Sequence, residues 1–496
     1  MKQASINTLG ELKKSGYLPK SIKQEIRDNL IIKLQKKEKI FAGVMGYENT
    51  VIPEIERAIL SRHNIILLGL RGQAKTRIAR QMVELLDDYI PVVKGSEIND
   101  DPLQPISIFA QELILALGDK TPISWMHRSE RYTEKLATPD VSVADLIGDI
   151  DPIKAAANKL SFSDQKVIHF GLIPRSHRCI FVINELPDLQ ARIQVSLFNI
   201  LQEEDIQIRG FKLRLPLDIQ FLFTANPEDY TNRGSIVTPL KDRIESQILT
   251  HYPKSLEISR EITQQEARIL PVQNGCIEVP ELAKELIEQI AIEARSSEYV
   301  DAKSGVSARL TISAYENLIS AAERRIIINN EKNTVVRIGD FDAVIPSITG
   351  KIELVYEGEQ EGSYMVAQNL IRKAIRTVFT KYFPDPSTKQ AKKSKSINPY
   401  SNILKGFSEG NNVTLMNNIT NVAYQKILEN VFNLNDLSLH TGSLLSTNNE
   451  LFVKELILHG LAECSQIAKS NMLNGSDFSD IMDMMMSDSF LSDLEE

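Results

Sequence analysis

Apolar positions first appear at helical spacing among basic residues over 6–39, which predicts an N-terminal helical extension across 1–40. "FAGVMGYENTVIPEIERAIL" (41–60) predicts a glycine-bearing loop and then an amphipathic helix. In "NIILLGLRGQAKTRIARQMVELL" (64–86) an apolar run stops at a glycine-bearing turn, and apolar residues then recur at helical spacing. That run is too short and too abruptly ended for one helix, so strand–loop–helix is expected. Further apolar strands are predicted at 180–183 and in "IQFLFTAN" (219–226), with helical stretches between them. The pattern predicts an α/β core over 41–256 with a mostly parallel sheet between helices. From 257 the periods turn helical, giving an α-helical lid over 257–350. "TGKIELVYEGEQEG" predicts a turn or short hairpin within a connector, 351–383. "PDPSTKQAKKSKSINPYS" (384–401) reads as a linker. Residues 402–496 are expected to form an additional, mostly helical C-terminal region that closes with an acidic, Met-rich tail containing Met482 to Met486.

Composition narrows the classes. At 496 residues the chain has room for several domains, and 42% hydrophobic with 25% charged residues is ordinary for a soluble globular protein. A net charge of −8 gives no electrostatic reason to expect nucleic acid. Cys179, Cys276 and Cys464 are scattered without a CxxC, which suits a reducing compartment and no zinc site. The start has no apolar signal-peptide core and no run of about 18 apolar residues occurs, so a cytoplasmic setting without a membrane span is expected.

The strongest local signal is "GLRGQAKT", comprising Gly69, Leu70, Arg71, Gly72, Gln73, Ala74, Lys75 and Thr76. A phosphate-binding loop needs a glycine at the strand end, so that backbone N–H groups can turn toward phosphate. It also needs a lysine that reaches the β and γ phosphates and a hydroxyl for magnesium. A glycine usually precedes that lysine; Ala74 serves in its place if it keeps a negative φ. The same letters also fit a plain strand–turn–helix with a chance lysine. Hydrolysis would need more: a base to polarise water and fixed groups to meet developing charge. Glu185, at the end of "CIFVINEL", is the candidate base, and Asn226 ends a second apolar strand where an amide could orient the water. In isolation, Glu185 would more commonly be a solvated glutamate at a strand end. Arg243, in "TPLKDRIES", carries no role on its own letters.

Taken in order, "GLRGQAKT", "DLIGDIDPIKAA", "HFGLIPRSHRCIFVINEL", "FTANPED" and "PLKDRIES" resemble the AAA+ ATPases of the MoxR and magnesium-chelatase ATPase-subunit group. The resemblance spans roughly 40–350. It implies a P-loop AAA+ core followed by a helical lid, with Lys75 and Thr76 on phosphate and magnesium. It makes Glu185 the catalytic glutamate, Asn226 the first sensor, Arg243 the arginine finger and Arg309 the second sensor. Val44 and Met45, in "GVMGYE", stand where the group closes around adenine. An arginine finger reaching a neighbour's site implies a homo-oligomer, commonly a hexameric ring, with ATP and Mg2+ bound. The group remodels or activates partner proteins, which often carry a von Willebrand factor A domain; none is recognisable here, so the partner would be a separate chain.

Asn184 departs from the group, which has aspartate there. An asparagine oxygen still accepts a hydrogen bond from a magnesium-bound water but brings no charge. The loss is on the order of 1–3 kcal/mol, or about ten- to a hundred-fold in metal affinity or rate. Slower hydrolysis is expected, with an ATP-binding assembly scaffold of little turnover as the alternative. The stretch 93–138 is longer than in the simplest members, and the region after about 360 has no counterpart.

Overall fold

The computed structural model describes residues 6–159, 165–208, 214–226, 235–386, 399–431, 450–472 and 474–481. The middle of the expected linker and the Met-rich stretch from 482 onward lie outside the described residues. Contacts divide the chain into two units, Met1–Tyr252 and Pro253–Glu496. Among the described residues no helix is long and apolar enough to cross a membrane.

The first unit is built on five parallel strands: β1 (Ile65–Leu68), β2 (Tyr132–Leu136), β3 (Cys179–Asn184), β4 (Ile219–Ala225) and β5 (Ser246–Leu249). Their order across the sheet is β5-β1-β4-β3-β2, and every neighbouring pair is parallel. Strands β1, β3 and β4 are buried along their whole length, as parallel strands covered on both faces must be. Alternate residues feed two cores. Ile65, Leu67, Ile180, Val182 and Leu222 pack with α1 (Ile22–Gln35), α2 (Val51–Leu60) and α3 (Lys75–Gln81). Ile66, Phe181, Ile183, Phe221 and Phe223 pack on the other face with Leu146, Ile173, Ile193 and Leu197. Full burial of each such side chain contributes about 1.5–3 kcal/mol.

The N-terminal extension is part of this unit. Ser21 caps α1 by accepting from the Gln24 N–H, and the Ile22 N–H donates to Asp218 Oδ2 at 2.7 Å. Glu25 meets Arg131 in a buried bidentate pair at 2.6 and 2.7 Å, which fixes α1 to the residue that opens β2. The long stretch after 93 forms an antiparallel ribbon, Tyr89–Val93 with Ile123–His127, and Trp125 Nε1 donates to the Ile6 carbonyl at 2.9 Å.

The second unit is mainly helical. Helices α4 (Leu256–Glu266), α5 (Glu281–Ser296), α6 (Arg309–Asn329), α7 (Ser363–Tyr382) and α8 (Glu450–Glu463) enclose one core running from Ile277 to Phe478. Of the expected turn or short hairpin, a turn is present at Gly350–Lys351, and among the described residues no hairpin follows it. Leu354 makes only an isolated bridge to Val300, and Tyr356–Glu361 is helical. A Cβ on Gly358 would sit 2.4 Å from the Tyr299 carbonyl oxygen, so this helix packs directly against backbone. The C-terminal region also contains a three-stranded antiparallel sheet, Val413–Met416, Gly475–Ser479 and Ala468–Met472 in that order, which helical periodicity did not suggest. Tyr400 Oη donates to the Pro384 carbonyl at 2.8 Å, tying together the two ends of the proline- and lysine-rich segment.

Candidate functional site

Three adjacent strands, β1, β4 and β3, end on the same edge of the sheet, and the sequence-predicted polar residues sit at those ends. Open parallel sheets bind ligands beyond the carboxyl ends of their strands. The loop after β1 is fixed from several sides. The Gly69 N–H donates to the Ala225 carbonyl at 3.1 Å. A Cβ on Gly69 would lie 1.9 Å from Thr250 Oγ1 and 2.2 Å from Gln73 Oε1, so only glycine fits. Thr250 Oγ1 donates to the buried Gln73 side chain at 2.6 Å, and Tyr47 Oη to the Gln73 carbonyl at 3.1 Å. Arg71 and Gly72 are exposed, Leu70 and Ala74 half-buried.

Ala74 does not meet the condition set for it. Its φ is +58°, in the left-handed region, so the alanine occupies a turn that favours glycine. The helix α3 starts at the next residue, and the turn that aims Lys75 into the site needs this conformation.

The lysine, the sensor amide and the candidate base form a chain. Lys75 is buried and its Nζ donates to the carbonyls of Gly69 and of Leu70 (3.0 Å) and to Asn226 Oδ1 at 2.9 Å. Asn226 Nδ2 in turn donates to Glu185 Oε2 at 3.4 Å. Glu185 itself has φ +54°, a strained conformation of the kind kept at functional sites. Residues 69, 75, 185 and 226, far apart in sequence, thus converge.

Asn184 is buried beside them. The Glu185 N–H donates to Thr224 Oγ1 at 3.2 Å, and Thr224 Oγ1 donates to Asn184 Oδ1 at 3.0 Å. Asn184 Nδ2 donates to Glu134 Oε1 at 2.6 Å. Glu134 is also held by Arg80 Nε (2.9 Å), Arg80 Nη2 (3.2 Å) and Tyr132 Oη (3.1 Å). Burial works to raise the Glu134 carboxyl, but the hydrogen bonds from Arg80, Tyr132 and Asn184 outweigh it and keep the group below the usual glutamate range. Neither Glu134 nor Thr224 was singled out from sequence. The signal for Glu134 was weak: it sits in "YTEKL", whose polar letters hide a strand.

The remaining candidates are held by other elements. Arg243 Nε donates to Gln202 at 3.0 Å and its Nη1 to the Pro239 carbonyl at 2.8 Å, with the guanidinium 5.0 Å from the Phe198 ring. Arg309 is exposed as the first residue of α6 in the second unit. Val44 is packed in the core beneath α2 and Met45 is half-buried.

For magnesium, the residues offer the Thr76 hydroxyl and the Asn184 oxygen, hard oxygen donors that suit an ion held largely by phosphates and water. Among the described residues no group of three or more His, Cys, Asp or Glu could hold a metal alone.

The sheet and its glycine-bearing loop define a P-loop nucleotide-binding fold. Residues 123–244 match the family model of the AAA domain, dynein-related subfamily. That match runs from the ribbon through β2, β3 and β4 to Ile244, and the phosphate loop precedes it. No curated protein matches the chain. Three solved structures overlap it loosely. A candidate ATPase of Cytophaga hutchinsonii is 17% identical over 73% of this chain and 98% of that one, TM-score 0.30. A BchI–BchD complex of magnesium chelatase gives 17%, 65% and 98%, TM-score 0.33. NtrX of Brucella abortus with ATP gives 13%, 71% and 68%, TM-score 0.35.

Proposed function

We propose that the chain is a ring-forming AAA+ ATPase of the MoxR and magnesium-chelatase type, which couples ATP binding and hydrolysis to remodelling of a separate partner protein. The observation that carries this reading is the chain Lys75–Asn226–Glu185 across the ends of three neighbouring strands. A binding loop alone does not need a carboxylate held by an amide beside its lysine; a hydrolytic site does.

In this reading the N–H groups of 70–76 and the Lys75 ammonium bind the polyphosphate. Lys75 exchanges its carbonyl and amide acceptors for phosphate oxygens. Asn226, released from Lys75, orients the attacking water, and Glu185 takes its proton. Thr76 and, through water, Asn184 would hold magnesium, which supplies charge neutralisation at the β and γ phosphates. Arg243, which follows the helix Thr238–Asp242, would serve a neighbouring subunit; Arg309 would act as the second sensor. Val44 and Met45 would border the adenine.

Steady-state ATP hydrolysis by the intact chain tests the reading. Turnover above a Lys75→Ala control is expected, and Glu185→Gln should retain ATP and hold the ring assembled. Tight ATP binding with no turnover above that control would select the scaffold alternative, which the uncharged Asn184 favours.

A further inference from the structure

The carboxylate missing from position 184 stands one strand over. We propose that Glu134 supplies the anionic charge on the magnesium side of the nucleotide site, acting through Asn184 as a positioning residue. The inference rests on the nucleotide-site reading above.

Register places the two side chains together. Glu134 pairs with Val182 and Leu136 with Asn184, so Glu134 and Asn184 share the sheet face that α3 covers. The hydrogen bonds fix which way the amide points. The ionised Glu134 carboxylate can only accept, so the Asn184 NH2 faces it and the Asn184 oxygen takes the Thr224 proton, while Thr224 Oγ1 accepts from the Glu185 N–H. The 2.6 Å contact is therefore a charge-assisted bond from amide to carboxylate. Such a bond polarises the amide and makes its oxygen, with a second lone pair still available, a stronger acceptor for a metal-bound water. On α3, Arg80 follows Thr76 by four residues, one turn along the same face. The arginine that holds Glu134 thus stands on the helix stripe that presents the magnesium hydroxyl. Its side chain is 64% exposed, so solvent screens the charge it sets against Glu134.

The pair also accounts for asparagine at 184. An aspartate there would bring two carboxylates within hydrogen-bond distance, and like charges so close cannot both stay ionised. The acid stands on β2 and the amide on β3.

A fluorescent ATP analogue bound by the intact chain with Mg2+ and with EDTA reads this directly, as the ratio of the two affinities. Glu134→Gln should cut the Mg2+-dependent gain about ten-fold and leave affinity in EDTA within about two-fold. Asn184→Asp alone should not raise the gain, whereas Asn184→Asp with Glu134→Gln should restore it. Unchanged Mg2+ dependence in Glu134→Gln overturns the proposal, as does a rise in Asn184→Asp alone. Loss of binding in EDTA by Glu134→Gln that the double variant does not recover overturns it in favour of a purely structural role. Failure of the parent chain to bind the analogue under either condition would instead overturn the nucleotide-site reading.

Discussion

Ala74 gives a sharp test of the phosphate loop. With φ +58° and ψ 13°, its Cβ crowds the following carbonyl, a cost of roughly 1–2 kcal/mol that glycine does not carry. Glycine returns part of this, about 0.4–1 kcal/mol, because its unfolded chain is freer. Ala74→Gly is therefore expected to stabilise the first unit by about 0.5–1 kcal/mol. For a unit of this size that is a rise of roughly 1–4 °C in Tm. Ala74→Val should act in the opposite direction and by more, since a β-branched side chain is hardest to hold at positive φ. Differential scanning calorimetry of the intact chain, using the transition that MgATP raises, follows the right unit. A lower Tm for Ala74→Gly than for the parent, or no penalty for Ala74→Val, would refute the left-handed turn and with it the placement of Lys75.

The other predictions concern the scaffold and the subunit interface. Glu25→Ala leaves Arg131 buried without its bidentate partner and should cost about 3–5 kcal/mol, read as the urea midpoint. Asp218 and His177 should pull the pH profile in opposite directions. Burial raises Asp218 to about 6, so its folded form binds protons more tightly than its unfolded form, and its contribution falls as pH rises from about 4 to 6. Burial, with Arg178 nearby, lowers His177 to about 4, so its contribution is present above its unfolded pKa of 6.5 and is lost as pH falls toward 4. Relative to the parent, Asp218→Asn should therefore steepen acid loss of stability between pH 4 and 6, and His177→Gln should reverse it, both measured by urea unfolding across that range. Arg243→Ala should retain ATP binding and lose turnover by about 10³-fold or more, and adding a Glu185→Gln chain with intact Arg243 should restore some of it through mixed interfaces. Additive rates in that mixture would place Arg243 outside any neighbour's site.

Strands β1, β3 and β4 were legible because burial on both faces makes them continuous apolar runs. The edge strands were not: "YTEKL" and "SQIL" are half-buried, and their polar letters resemble loop. Missing β2 also concealed Glu134, since its importance comes from lying beside β3 and nothing in the linear order shows that. Glycine at 69 and lysine at 75 could be read from spacing, whereas the φ of Ala74 depends on how α3 enters from the strand. In the second unit, helices α5 and α6 follow their periodicity, but "AKSNM" and "GSDFS" pair as strands on the strength of a few apolar anchors such as Phe478. Glu357 and Glu359 favour a helix start at 356 through the helix dipole, within the stretch expected to form a turn or short hairpin.

Tyr47 and Thr250 brace the phosphate loop from outside through Gln73, and Lys75 closes it from within. The loop is thus held at Gly69, Gln73 and Lys75 as it stands. Arriving nucleotide would meet the N–H groups of a loop already in place and exchange the Lys75 ammonium's oxygen partners for phosphate oxygens, without ordering a chain segment. Its calorimetric signature at this loop is then that of a rigid receptor: a small heat-capacity change, without the large negative term that accompanies folding on binding.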